Sequence, residues 1–203
     1  MAKNILLIGG GVDSVTLALD LHNKGIEFEL LHVDYGQVAA YAEIQFISKL
    51  AKDLNVPIRV ALDSQIDYAN PKPNKILDGP SHDNPYILGR NYYLLGIAAS
   101  KGDNVYIGLS EGRIFDCTEE FVNNMNLAWK GAFDGQKRVI APYVNNSKKD
   151  LVELGHSLSP KYFEYVMSCW TPIEVKTRLE TTYKPCGVCN HCKELAAYSE
   201  GLI

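Results

Sequence analysis

Ile5-Leu6-Leu7-Ile8 runs straight into Gly9-Gly10-Gly11. Four consecutive apolar residues leave a strand no polar side to turn to water, so both of its faces must be covered. A strand with one wet face would alternate instead. The run therefore predicts the central strand of a parallel sheet with helices on either side. The glycines that end it predict a tight turn from strand into helix.

The rest of the chain repeats the pattern. Val15, Ala18, Leu19 and His22 recur at helical spacing, and Gly25 closes that segment. Residues 28–33 read as a second strand, 41–54 as a helix and 56–61 as a third strand. Residues 62–88 hold Pro71, Pro73, Pro80 and Pro85 and read as a long functional loop or lid. Helical spacing returns with Leu94, Ile97 and Ala98. Residues 105–109 and 139–143 read as strands, with a helix over 118–130 between them. Ser147, with Asp150 three residues on, reads as a capping box opening a further helix. Alternating strands and helices predict a doubly wound α/β fold around a mostly parallel five-stranded sheet.

The 203 residues suffice for one such domain plus an appended module. The expected division is residues 1–160 for the α/β domain and 161–203 for a small module. Four cysteines define that module: Cys169, Cys186, Cys189 and Cys192. The last three form two overlapping C-x-x-C hooks, spaced to present thiolates to one tetrahedral zinc ion. Four thiolates leave no open coordination position, so the metal is expected to be structural, bracing the end of the chain away from the chemistry. A formal charge of −4 gives no general electrostatic reason to bind nucleic acid or an anionic membrane. No apolar run approaches the roughly 20 residues that span a bilayer, and no export signal is evident. The expectation is a cytoplasmic protein with reduced cysteines, in which metal binding prevails over disulfides.

The turn Gly9-Gly10-Gly11-Val12-Asp13-Ser14 is physically an anion site. Glycines permit close backbone approach, and the N–H groups of a helix start favour phosphate. Asp13 cannot favour a bare phosphate, so it implies a magnesium ion or a structural bond within the loop. The pattern matches neither G-x-G-x-x-G nor G-x-x-x-x-G-K-[ST], and on the loop alone a plain tight turn competes.

Gly10-Gly11-Val12-Asp13-Ser14 resembles the S-G-G-x-D-S loop of the PP-loop ATP pyrophosphatases. Further segments narrow the resemblance to the 7-cyano-7-deazaguanine synthase family of queuosine and 7-deazapurine biosynthesis. Asp34-Tyr35-Gly36-Gln37 resembles its D-Y-G-Q, Gly89-Arg90-Asn91 its G-R-N, and Asp116-Cys117 its D-C. Ala141-Pro142, Ser147-Lys148 and the four cysteines follow in the family's order across nearly the whole chain.

The resemblance implies an ATP-dependent ligase that converts 7-carboxy-7-deazaguanine and ammonia to the nitrile. In that family the carboxylate attacks the ATP α-phosphate, giving an acyl adenylate and pyrophosphate. Ammonia then displaces AMP to give an amide, and a second adenylation dehydrates the amide. Carried over, Ile8, Gly9, Gly10, Gly11, Val12, Asp13 and Ser14 form the ATP loop, and Val33 and Asp34 lie beside the adenosine. Arg90 neutralises a phosphate or the substrate carboxylate, Lys148 a phosphate, and Asp116 sits by the substrate or the metal. Asp13, Ser14, Arg90 and Lys148 are the implied catalytic set. ATP, Mg2+ and Zn2+ are the implied cofactors. The partners are a small 7-deazapurine carboxylate, ammonium and, by analogy, a second copy of the chain.

This sequence departs from the family at Gly9, where a Ser is usual, at Val12, at Val38-Ala39-Ala40, where basic residues are usual, and in a shortened stretch before Asp116. These departures keep two alternatives open: a relative that adenylates or amidates another carboxylate, and a zinc-stabilised nucleotide-binding module without activity. A sulfur-transfer enzyme would need a persulfide, for which only Cys117 is free. Arg90 and Lys148 also have ordinary surface readings, Asp34 can serve as a helix cap, and His32 and His191 read as packing groups or as supports behind a site residue.

Overall fold

The structure is a computed structural model, and it describes residues 2–62, 89–111 and 115–202. Five parallel strands form the sheet: β1 (Asn4–Leu7), β2 (Glu29–Asp34), β3 (Ile58–Leu62), β4 (Asn104–Ile107) and β5 (Arg138–Ile140), in the spatial order β3-β2-β1-β4-β5. Strand order reverses at β1. In sheets of this type ligands bind beyond the carboxyl ends of the strands at that switch point.

The apolar run of β1 divides as its pleat requires. Leu6 and Ile8 enter one core with α1 (Val12–Asn23), α2 (Ala40–Leu54), α5 (Lys148–Leu158) and α6 (Tyr162–Tyr165). Ile5 and Leu7 enter the other with α3 (Arg90–Ala99) and α4 (Glu119–Ala132). Ile5 and Leu6 are wholly excluded from solvent. At about 25 cal/mol per Å2 of apolar surface, burying one such side chain contributes about 2 kcal/mol, so β1 is held from both sides.

Two strands end earlier than their apolar runs. β4 stops at Ile107 because Gly108 passes directly over the loop: a Cβ on Gly108 would lie 2.6 Å from Asp13 C and Ser14 N. β5 stops at Ile140, ahead of Pro142, which has no N–H to donate. Four elements have no counterpart among the expected ones: α6, the strands β6 (Ile173–Lys176) and β7 (Thr181–Lys184) of an antiparallel hairpin, and α7 (Asn190–Ser199). Their sequences are short and weakly patterned, and packing stabilises them. Tyr162 of α6 is fully buried, and its hydroxyl shares a hydrogen bond with Thr16 Oγ1 at 3.1 Å. The capping box of α5 forms as its spacing predicts, with Ser147 and Asp150 exchanging hydrogen bonds of 3.1 Å. The expected loop or lid lies outside the described residues from position 63 onward.

Candidate active site

The loop after β1 takes its shape from two contacts. Gly10 has φ +75°, a region that only glycine enters freely. Its carbonyl accepts a 2.7 Å hydrogen bond from Met167 N. Gly11 then caps α1 with an extended backbone and no side-chain bond. The first-turn N–H groups of α1 therefore face the open space beyond β1, an arrangement that suits an anion.

That space is a cleft of about 230 Å3. Ile8, Gly9, Gly11, Val12, Asp13 and Ser14 form one wall, and Val33, Arg90 and Lys148 reach it from β2, α3 and α5. Of the expected site residues, Gly10, Asp34 and Asp116 stand behind the walls. Gly10 is spent on Met167, and Asp34 Oδ1 accepts from Gly36 N at 2.9 Å, closing the turn after β2. Asp116 is buried, and its Oδ2 accepts from Asn91 N at 2.9 Å while its carbonyl accepts from Asn91 Nδ2. It thereby anchors the start of α3 and with it Arg90.

Asp13 is the hub of the phosphate side. Its Oδ2 accepts from Lys148 Nζ at 2.5 Å and from Ser110 Oγ at 3.2 Å. Its Oδ1 is buried without a hydrogen-bond partner. An unpartnered carboxylate oxygen beside an anion site fits a hard divalent cation that ligates oxygen. Ser14 Oγ donates to Gly11 O at 3.2 Å within the loop.

Arg90 follows Gly89, which has φ +72°, and lies beside the Tyr35 hydroxyl. Burial works to lower the guanidinium pKa, but Tyr35 and Asp116 outweigh it and the net shift is upward. The charge persists at any working pH.

Glu43 and His32 complete the floor of the cleft; the sequence reading gave Glu43 no role and His32 a packing or supporting one. Glu43 sits in the first turn of α2, and Gln37 Nε2 donates to its Oε2 at 2.8 Å. Burial pushes its pKa up to about 7, against the pull of Gln37 and Arg90. His32 is 1% exposed, and its Nδ1 lies 2.9 Å from Ile8 O. A carbonyl only accepts, so Nδ1 carries the proton. Nε2 is then a lone-pair acceptor, without a hydrogen-bond partner and 3.8 Å from Glu43 Oε2. The two do not form an ion pair at neutral pH, because burial also lowers the pKa of His32. An acid in a first helical turn after Tyr35-Gly36-Gln37 was the one local signal for Glu43.

Cys169, Cys186, Cys189 and Cys192 place their sulfur atoms within 4.8 Å of one another. Sulfur atoms 2.3 Å from a tetrahedral ion lie about 3.8 Å apart, and Cys186 Sγ and Cys192 Sγ are 3.9 Å apart. None of the four is in a disulfide. Cys186 N donates to Cys169 Sγ at 3.2 Å, the kind of bond that supports a thiolate ligand. The donor set fits a metal ion. The expectation that this cluster braces a remote end of the molecule is corrected: Met167, Ser168, Cys169, Trp170 and His191 line the cleft itself. His191 Nδ1 is 3.1 Å from Ser168 O, and its ring centroid is 4.3 Å from that of Trp170. Backbone pairing of Met167 with Gly10 brings the chain's two ends together, which no local pattern announces. Cys117 is outside the cluster, and burial and then Asp116 push its thiol up to about 11, so it is a poor nucleophile near neutrality.

The sequence profile of the queuosine biosynthesis protein QueC matches residues 3–200. The chain belongs to the QueC family. A 7-cyano-7-deazaguanine synthase of Campylobacter fetus is 32% identical to this QueC-family chain, over 95% of it and 90% of the relative. One of Pyrococcus abyssi is 27% identical, over 95% and 90%. Among solved structures, a predicted subunit of tRNA methyltransferase from Methanocaldococcus jannaschii matches with a TM-score of 0.58 at 16% identity. It covers all of this chain and 89% of that one, and shows likeness of fold. Among the described residues of the QueC-family chain, no helix is long and apolar enough to cross a membrane.

Proposed function

We propose that this chain is an ATP-dependent carbon–nitrogen ligase that converts 7-carboxy-7-deazaguanine and ammonia to 7-cyano-7-deazaguanine through an acyl adenylate. The observation that carries the reading is the convergence, in a chain of the QueC family, of the loop from Gly9 to Ser14, Lys148 and Arg90 on one cleft. The loop and Lys148 receive the phosphates of ATP. Arg90 receives the substrate carboxylate, for which a guanidinium offers paired donors. A carboxylate is a poor electrophile, and attachment to AMP supplies a leaving group. The protein's part is to hold two anions together and stabilise the charge that builds on phosphorus.

Magnesium, held through Asp13 Oδ1, would neutralise phosphate charge when bound. Zinc fits the four thiolates and would fix the segment from Met167 to Trp170 against the loop. Residues 1–160 carry the phosphate loop, Arg90 and Lys148, residues 161–203 form the metal module that completes the cleft wall, and free ammonium is the nitrogen source. The test is incubation with magnesium-ATP, ammonium and 7-carboxy-7-deazaguanine, followed by mass analysis. AMP, pyrophosphate and a nitrile are expected. ADP and phosphate, or no consumption of the acid, would overturn the assignment.

A further inference from the structure

Nitrile formation has a demand that the phosphate side of the cleft does not meet. Nitrogen enters as ammonium with four protons and leaves in a nitrile with none. Ammonium must first lose a proton to become a nucleophile. The ammonia lone pair then forms a C–N bond to the acyl carbon, the bond from that carbon to the AMP oxygen breaks with its electron pair on AMP, and a second N–H proton departs. In the second round the amide oxygen displaces pyrophosphate from ATP, and loss of that oxygen on AMP releases the last two protons. A group beside the acyl carbon must take these protons singly and return them to the solvent of the open cleft.

We propose that Glu43 is the proton acceptor for the incoming nitrogen. The inference rests on the ligase reading above. Glu43 is close to the loop: a Cβ on Gly10 would lie 3.8 Å from Glu43 Cα. Glu43 lines the same cleft as Arg90 and the loop. Gln37 orients it, donating one N–H to Glu43 and the other to Val33 O at 3.3 Å, while Gln37 Oε1 accepts from Tyr35 N at 3.0 Å. His32 is 1% exposed and offers a lone pair on Nε2 that no described group engages, 3.8 Å from the carboxylate. The charged and titratable groups acting on Glu43 are His32 and Asp34 of β2, Tyr35 after it and Arg90 of α3. A carboxyl that titrates near neutrality gives and takes protons readily there.

Two rates separate this role from binding. Acid-dependent exchange of pyrophosphate into ATP, run without ammonium, reports adenylation alone. Single-turnover formation of amide and nitrile, at fixed free ammonia across a pH series, reports nitrogen insertion. In Glu43→Gln exchange is expected to persist while nitrogen insertion falls by about 100-fold. The wild-type insertion rate is expected to rise through an inflection near pH 7 that the variant lacks. Unchanged insertion in Glu43→Gln overturns the proposal, as does loss of exchange in parallel, which would mark Glu43 as a binding group for the substrate. A wild-type insertion rate without the inflection overturns it independently of any variant's folding. Absence of acid-dependent exchange in the wild type is a different result, and it removes the ligase reading itself.

Discussion

Lys148 Nζ lies 2.5 Å from Asp13 Oδ2, linking the first turn of α5 to the first turn of α1 across 135 positions of sequence. The pair presents a cation beside the start of α1, where a nucleotide's phosphates are expected. Lys148→Ala should lower kcat/KM for ATP by about 100-fold, the scale of losing one preorganised charge at a developing anion. Lys148→Arg should recover part of the loss. Steady-state pyrophosphate release measures both, and wild-type kinetics in Lys148→Ala would remove the residue from the site.

Asp13→Asn keeps the size of the side chain and removes its charge. If Oδ1 is the magnesium position, the variant should need a higher magnesium concentration for half-maximal turnover, while ATP binding without the metal weakens far less. Titration of magnesium at saturating ATP gives the comparison. An unchanged requirement would place the ion elsewhere.

The metal cluster should be coupled to nucleotide binding, because Met167 N holds Gly10 O and Ser168 to Trp170 line the cleft. A chelator that strips the metal is expected to change Trp170 fluorescence, lower the melting temperature and weaken ATP binding together, since metal-binding energy here is folding energy. Readdition of zinc should restore all three. ATP affinity that survives demetallation would separate the cluster from the site.

Glu43 predicts a pH-dependent stability whose sign is opposite to that of an ordinary paired carboxylate. Its folded pKa of about 7 stands above the ordinary carboxyl value of 4.5, so the folded state binds the proton more tightly. Its contribution is most favourable below the unfolded pKa and is lost as pH rises through the folded one. Removal of the charge should therefore stabilise the protein at high pH: Glu43→Gln is expected to exceed the wild type by up to about 3 kcal/mol above pH 7, with the gain vanishing in acid. Urea unfolding at several pH values checks this, and a gain independent of pH would contradict it.

Two glycines should respond in opposite directions to alanine. Gly108→Ala drives a methyl to 2.6 Å from backbone atoms of Asp13 and Ser14, which cannot step aside. It should cost about 1–3 kcal/mol and deform the loop. Gly131, in α4, has nothing within 4 Å of a new Cβ, so Gly131→Ala should stabilise by about 0.4–1 kcal/mol. Chemical denaturation of the two variants reads both signs.

The sheet, the loop and the metal ligands were legible because each is encoded over a few neighbouring residues. Ile5 to Ile8 state a doubly covered strand, Gly9 to Ser14 a turn into a helix, and Cys186 to Cys192 a metal hook. Period and spacing are local properties, and the backbone converts them into faces and ligand directions with little reference to the remainder of the chain. Tertiary structure alone decided what those parts face. It joined Met167 to Gly10, placed the metal module against the cleft, set Gly108 on the backbone of Asp13 and Ser14, and turned His32 toward Glu43. Those pairings depend on long-range packing and on the exclusion of water from particular side chains. Nothing local at position 43 announces a buried carboxyl, and burial in the fold changes its protonation.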